Sequence, residues 1–224
     1  MSVLDRGGGK FRRYGGYLFD LDGTLIDTAP DLTFALNHAL AEFGLHGVDV
    51  AVARNWVGQG ARSALERAVA HRDAPADAVD AMLASFLECY RGRIAVESAP
   101  FADVEETLAV LAGRGAKLAV VTNKRGELTN KLLAEIGFAG HFDAVVAGDT
   151  TARPKPAPDP ALAACEALGL GVDEVLFVGD SLADVGCARA AGCAVVCVAY
   201  GYRQGVAAAD LGADAVIETF RDLL

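Results

Sequence analysis

Five short apolar, β-branched runs, at residues 17–19, 117–122, 144–147, 175–178 and 194–198, are for the most part separated by segments with helical spacing. This alternation limits the fold more than any other feature. Strands buried on both faces read as continuous apolar runs, and parallel pairing needs a crossover long enough to hold a helix. The intervening segments, Glu105 to Arg114, Leu128 to Ile136, Pro160 to Leu168 and Asp184 to Ala191, run into Gly115, Gly137, Gly169 and Gly192. Helices commonly stop at such a glycine, which adopts left-handed backbone without strain. The expected fold class is α/β, with a Rossmann-like, mostly parallel sheet.

Between Asp27 and Phe101 the rhythm changes. No strand-like run occurs there, and three Ala/Leu-rich amphipathic segments lie near Asp31 to Phe43, Ala61 to His71 and Ala76 to Arg91. They predict an inserted α-helical cap over residues 28–100, with the core formed by 14–27 and 101–224 and a loose tail at 1–13. An insertion just after the first strand hangs over the ligand crevice of an open α/β sheet. The alternative is a helical layer packed flat on the sheet.

The first strand runs into Asp20-Leu21-Asp22-Gly23-Thr24. Two carboxylates at a buried strand end are costly, since like charges at about 4 Å repel by roughly 1 kcal/mol in water and about 4 at an effective dielectric of 20. A cation or a shared proton is expected there. Three further polar clusters follow: Thr122-Asn123-Lys124, Lys155 between Pro154 and Pro156, and Gly179-Asp180-Ser181 with Asp184. Singly, each reads as a turn, a helix cap or a solvated charge; at successive strand ends of one sheet they reinforce one another.

The chemistry these types fit is phosphoryl transfer through a carboxylate nucleophile. Asp20 attacks phosphorus, and Asp22 protonates the leaving oxygen and then deprotonates water. Mg²⁺, an oxygen-seeking cation, neutralises the phosphate and is held by Asp20, the Asp22 backbone carbonyl and Asp180, with Asp184 in or beside its shell. The Thr122 hydroxyl and the Asn123 N–H bind the phosphoryl oxygens, and Lys155 supplies a fixed positive charge. In the insertion, Gly58-Gln59-Gly60 with Arg62 is the segment most able to bring N–H groups and a guanidinium over a small anion.

The runs Asp20-Leu-Asp22-Gly-Thr-Leu-Ile-Asp27-Thr, Val-Val-Thr122-Asn-Lys, Lys155-Pro-x-Pro158 and Gly-Asp180-Ser-x-x-Asp184 resemble the four motifs of the haloacid dehalogenase superfamily. The insertion resembles the cap of the subfamily that contains phosphoglycolate phosphatase, and the stretch through Tyr200-Gly201-Tyr202 is similar to that enzyme too. The resemblance implies a phosphatase of small phosphate monoesters, with 2-phosphoglycolate as the leading candidate. Asp22 separates this pattern from relatives that cleave carbon–halogen or phosphonate bonds. Val57 ahead of the cap glycine, where mutase relatives carry lysine, favours simple hydrolysis. Sugar-phosphate or nucleotide phosphatases, a phosphomutase and a phosphate-binding scaffold remain as alternatives.

Val178-Gly179-Asp180-Ser181 approximates a serine-hydrolase elbow. All four histidines, His38, His46, His71 and His141, precede Ser181, which is the wrong order for that machinery. A net charge of −10 argues against a nucleic-acid surface, and no apolar run approaches the ~18 residues of a membrane span. The N-terminus, with Lys10, Arg12 and Arg13 among glycines, lacks the apolar stretch of a signal peptide. Five cysteines without C-x-x-C spacing suit reduced thiols, hence a cytoplasmic enzyme, as a monomer or homodimer, acting on a small-molecule phosphate ester.

Overall fold

Gly16–Phe19 forms β1, and every one of its four residues is buried. The computed structural model describes residues 12–72 and 78–224. Two short strands follow the insertion's boundaries: β2 (Ile26–Asp27) where the chain leaves the core and β3 (Ala99–Pro100) where it returns, paired antiparallel. Between them lie α1 (Ala29–Glu42), α2 (Val50–Ala53), α3 (Ala61–His71) and α4 (Val79–Arg93). The first residues expected in α4, near Ala76, lie outside the described residues, as does the tail up to residue 11. Arg12, assigned to that tail, donates to the Asp173 carbonyl and covers the ring of Tyr14 at 4.4 Å.

The core continues with α5 (Val104–Gly113), β4 (Lys117–Val121), α6 (Gly126–Glu135), β5 (Ala144–Val146), α7 (Asp159–Leu168), β6 (Val175–Gly179), α8 (Leu182–Ala191), β7 (Ala194–Val198) and β8 (Ala215–Ile217). The six-stranded sheet has the order β5-β4-β1-β6-β7-β8, and all its pairings are parallel. β1 is therefore central, with the later strands added first to one side and then to the other. Strand order reverses beside its carboxyl end, and such a switch point opens a crevice for ligands.

Alternation along the strands divides the sheet into two buried faces. Tyr17 and Phe19 point to one with Val120, Val178 and Leu108; Leu18 points to the other with Phe177, Val195 and the small side chains Ala161, Ala164 and Ala188. Cys165, Cys187, Cys193 and Cys197 fill this second face, and none of the five cysteines is in a disulfide. The insertion buries its own apolar stripe, with α1 packed against α4 through residues such as Leu36, Leu40, Met82 and Phe86.

The return from the cap is tied to its start. The buried Asp31 carboxylate in α1 accepts from the N–H of Glu97 and Ser98 at 2.9 and 2.8 Å, and from the Ser98 hydroxyl at 2.8 Å. Losing one partner of such a buried group costs about 1–3 kcal/mol, so both chain crossings are fixed in place. No helix among the described residues is long and apolar enough to cross a membrane.

Candidate active site

Phe19 pairs with Val120 on one side and Val178 on the other, so three strands end level. Asp20, Thr122 and Asp180 follow within two residues and open onto one crevice. Asp20 N–H still donates to the Val178 carbonyl at 2.9 Å, and Thr122 N–H to that of Val146 at 2.9 Å. The ladder thus extends to the reacting positions and fixes them.

Asp20, Asp180 and Asp184 are all buried, and each offers an oxygen within 4.8 Å of the other two. One ammonium enters this group. Lys155 Nζ donates to Asp20 Oδ1 at 2.7 Å, to Asp184 Oδ1 at 2.6 Å and to the Val121 carbonyl at 2.8 Å. Burial and the Asp184 charge push the Asp20 carboxyl up to about 7 despite Lys155. Asp180 is pushed well above the usual range, again by burial first and then by Asp184 and Asp20. Burial opposes the charge on Lys155, but the two carboxylates outweigh it and hold this ammonium above its ordinary pKa.

Asp184 also begins α8. Its Oδ2 accepts from Ser181 N–H at 3.0 Å, Ser181 Oγ at 2.6 Å and Asp180 N–H at 3.2 Å, which satisfies donors at a helix N-terminus and locks the loop holding Asp180. Three buried carboxyls share one ammonium, a crowding that either bound protons or a cation must relieve. Oxygen donors in such a group fit a hard divalent cation, and Mg²⁺ or a similar ion is the group they are suited to hold.

The Asp22 carboxylate stands outside this cluster. Lys124 Nζ donates to its two oxygens at 2.6 and 2.9 Å, and Thr28 Oγ1 to Oδ1 at 2.7 Å. Two adjacent carboxylates thus have separate counter-ions, Lys155 for Asp20 and Lys124 for Asp22. Lys124 is a site residue that sequence reasoning passed over, although it completes the Thr-Asn-Lys triplet.

Thr122 and Asn123 line a cavity of about 240 Å³ together with Asp20 and Asp22. Asn123 does more than border it. Its side chain accepts from Lys155 N–H at 2.9 Å and donates to the carbonyls of Lys155 and Gly58, each at 3.1 Å. One amide therefore joins the lysine loop to the cap.

Gly58, Gln59, Gly60 and Arg62 border the same cavity from the cap side. Gly58 and Gly60 have φ of 110° and 87°, a backbone that favours glycine and lets the loop turn before α3. Gln59 is held by Arg67 at 2.8 Å. The Arg62 guanidinium is half exposed and engaged by Asp80 and, at 3.9 Å, by Glu66. It borders the cavity while its charge is already matched by these two carboxylates. The rest of the cap wall is mostly apolar, with Leu36, Leu83, Phe86 and Leu87 beside Tyr90.

A parallel sheet carrying buried carboxylates at its central strand ends, roofed by an inserted helical cap, defines a capped α/β protein with an acidic crevice beneath the cap. Residues 17–198 match the model of the haloacid dehalogenase-like hydrolases. The chain belongs to that family. It is 39% identical over 217 residues to the phosphoglycolate phosphatase of Yersinia pseudotuberculosis, covering 96% of this chain and 94% of that one. It is 44% identical over 207 residues to the phosphoglycolate phosphatase of Caulobacter vibrioides, covering 92% and 87%. Its fold is similar to the crystal structure of a predicted phosphoglycolate phosphatase from Haemophilus somnus, with a TM-score of 0.88, 32% identity, and 95% and 97% of the two chains covered.

Proposed function

We propose that this protein is a Mg²⁺-dependent phosphoric monoester hydrolase acting through an aspartyl-phosphate on Asp20. The observation that carries this reading is the buried group of Asp20, Asp180 and Asp184 around the single ammonium of Lys155. Asp20, Asp180 and Asp184 would hold the cation, with the Asp22 backbone carbonyl as a further donor. The bound cation supplies charge neutralisation of the phosphate, without which an anionic nucleophile is repelled.

Asp20 forms a bond to phosphorus as the ester oxygen departs, and water later breaks that bond to release phosphate. Lys155 keeps Asp20 in place. Asp22, gripped by Lys124 and Thr28, is aimed to give a proton to the leaving oxygen and to take one from the attacking water. Thr122 and Asn123 receive the phosphoryl oxygens, and the cap loop over residues 57–60 keeps bulk water away from the intermediate.

Names of relatives support 2-phosphoglycolate as the substrate. The extent of the cavity favours a second reading, in which larger esters such as sugar phosphates are also accepted. Measuring kcat/KM with Mg²⁺ across 2-phosphoglycolate, sugar phosphates, nucleoside monophosphates and p-nitrophenyl phosphate separates them, because specificity is a ratio of these values. A preference of about tenfold or more for 2-phosphoglycolate supports the first reading. No phosphate release from any ester by folded, Mg²⁺-loaded protein overturns the proposal.

A further inference from the structure

Tyr202 touches both the carboxylate cluster and the start of the cap, through different atoms. Its backbone N–H donates to Asp180 Oδ2 at 2.6 Å. Its hydroxyl donates to Asp27 Oδ1 at 2.7 Å and accepts from Ala29 N–H at 2.9 Å. Asp27 and Ala29 flank the point where the chain leaves the core, and the other Asp27 oxygen accepts from Arg54 of the cap at 2.7 Å. Two residues beyond Tyr202, Gln204 donates to the Val57 carbonyl at 2.8 Å and accepts from Gln59 Nε2 at 3.2 Å. One short loop therefore holds a carboxylate of the cluster, the outgoing crossing and the cap loop.

The loop is tightly made. Arg203 and Gln204 both have φ of 52°, a left-handed backbone that non-glycine residues adopt at a cost and keep only where their surroundings enforce it. A Cβ on Gly201 would collide with Asp180, and one on Gly23 would meet the Tyr202 ring at 2.8 Å. Gly201 is thus packed directly on Asp180, and Gly23 lies against both Asp180 and the Tyr202 ring, so a shift of that carboxylate is passed to the loop.

We infer that Tyr202 is a positioning residue through which occupation of the carboxylate cluster by a divalent cation sets the cap loop over residues 57–60. The inference rests on the proposed Mg²⁺ site. Tyr202 N–H holds Asp180 Oδ2, so Oδ1 is the oxygen that Asp180 would offer to a cation in this arrangement. The hydroxyl's bonds to Asp27 and Ala29, and Gln204's to Val57 and Gln59, carry that arrangement to the cap. A ligand shifts such an equilibrium only by its differential affinity, and the coupling is reciprocal, so a seated cap tightens cation binding by the same factor.

Trp56, the chain's single tryptophan, precedes Val57 and packs on His71 at 5.3 Å, so its fluorescence reports on the loop. The experiment titrates Mg²⁺ into the ester-free protein, following Trp56 emission and, by calorimetry, binding itself. Wild type should bind Mg²⁺ with a change in emission. Tyr202→Phe keeps the backbone N–H on Asp180 and loses both hydroxyl bonds. It should still bind Mg²⁺, about fivefold more weakly, with the emission change abolished. Gln204→Ala, which leaves the Asp27 bond intact, should bind Mg²⁺ with a reduced emission change, and it decides the matter alone if Tyr202→Phe does not fold. Unchanged emission amplitude in the variants overturns the inference. Binding by wild type without an emission response also overturns it while leaving the metal reading standing, whereas no binding by wild type removes both.

Discussion

The crevice at the strand ends and the cap loop that faces it are both polar, yet they are built differently. In the crevice the acids and lysines are buried, and several are held by two or more bonds: Lys155 by three acceptors, Asp22 by Lys124 and Thr28, Asp184 by four donors. On the cap, Arg62, Gln59 and Arg67 bond mainly to one another's neighbours near the surface. Charges locked in a low-dielectric place act at full strength on a reacting group, whereas half-exposed ones are screened. On the proposed mechanism the reaction is therefore a property of the core, to which the cap adds the shape of the cavity.

The strongest way to break that division is Asp20→Asn. It should lower kcat by about 10⁴-fold or more without lowering the melting temperature, because it removes the proposed nucleophile and relieves the crowding of three carboxyls. Substantial turnover in a folded variant would move the nucleophile elsewhere. Next in size is Lys124→Met, which removes the clamp on Asp22 while leaving the Lys155 cluster untouched. A loss in kcat of about a hundredfold with KM nearly unchanged is expected, since Asp22 acts only on groups that ionise during reaction. An effect confined to KM would make Lys124 a substrate contact instead.

Lys124 shows why part of this site was legible in the chain and part was not. The acids announce themselves because each follows an apolar run, so their place at a strand end needs only local pattern. Lys124 shares its turn with Thr122 and Asn123 but faces a partner 102 residues away, and only the register of β1 against β4 brings them together. Tyr202 is in the same position, 175 residues from Asp27. β8 is as long as β5, but no α-helix separates it from β7, so the alternation that marks the other strands is missing there. Helix α2, Val-Ala-Val-Ala, runs against the strand preference of valine and is held by its tertiary setting. The cap's helices followed from their apolar spacing, but which of their polar groups meet the cavity depends on how the cap is seated.

A smaller effect tests the electrostatics of the crevice without substrate. The folded Asp20 carboxyl, raised to about 7, holds a proton that the unfolded chain has released above pH ~4. Between those values the folded state binds more protons than the unfolded one, so metal-free protein should lose stability as pH rises from about 4 to 7. Melting temperatures across this range should fall in wild type and fall less steeply in Asp20→Asn. Mg²⁺ should recover stability, and more of it at the alkaline end, where the carboxylates are ionised. Equal slopes in the two proteins would mean that the cluster's crowding is relieved by other means.

The smallest effect expected lies on the cap. Arg62 borders the cavity, but Asp80 and Glu66 already satisfy its guanidinium near solvent, where water and salt screen an ion pair. Drawing it onto a substrate carboxylate exchanges one screened pair for another. Arg62→Ala should therefore raise KM for 2-phosphoglycolate by no more than about fivefold and leave KM for p-nitrophenyl phosphate nearly unchanged. Equal effects on the two esters would remove Arg62 from substrate selection. A rise of a hundredfold with 2-phosphoglycolate alone would break the comparison itself, because a cap charge would then act with the strength reserved for the buried ones.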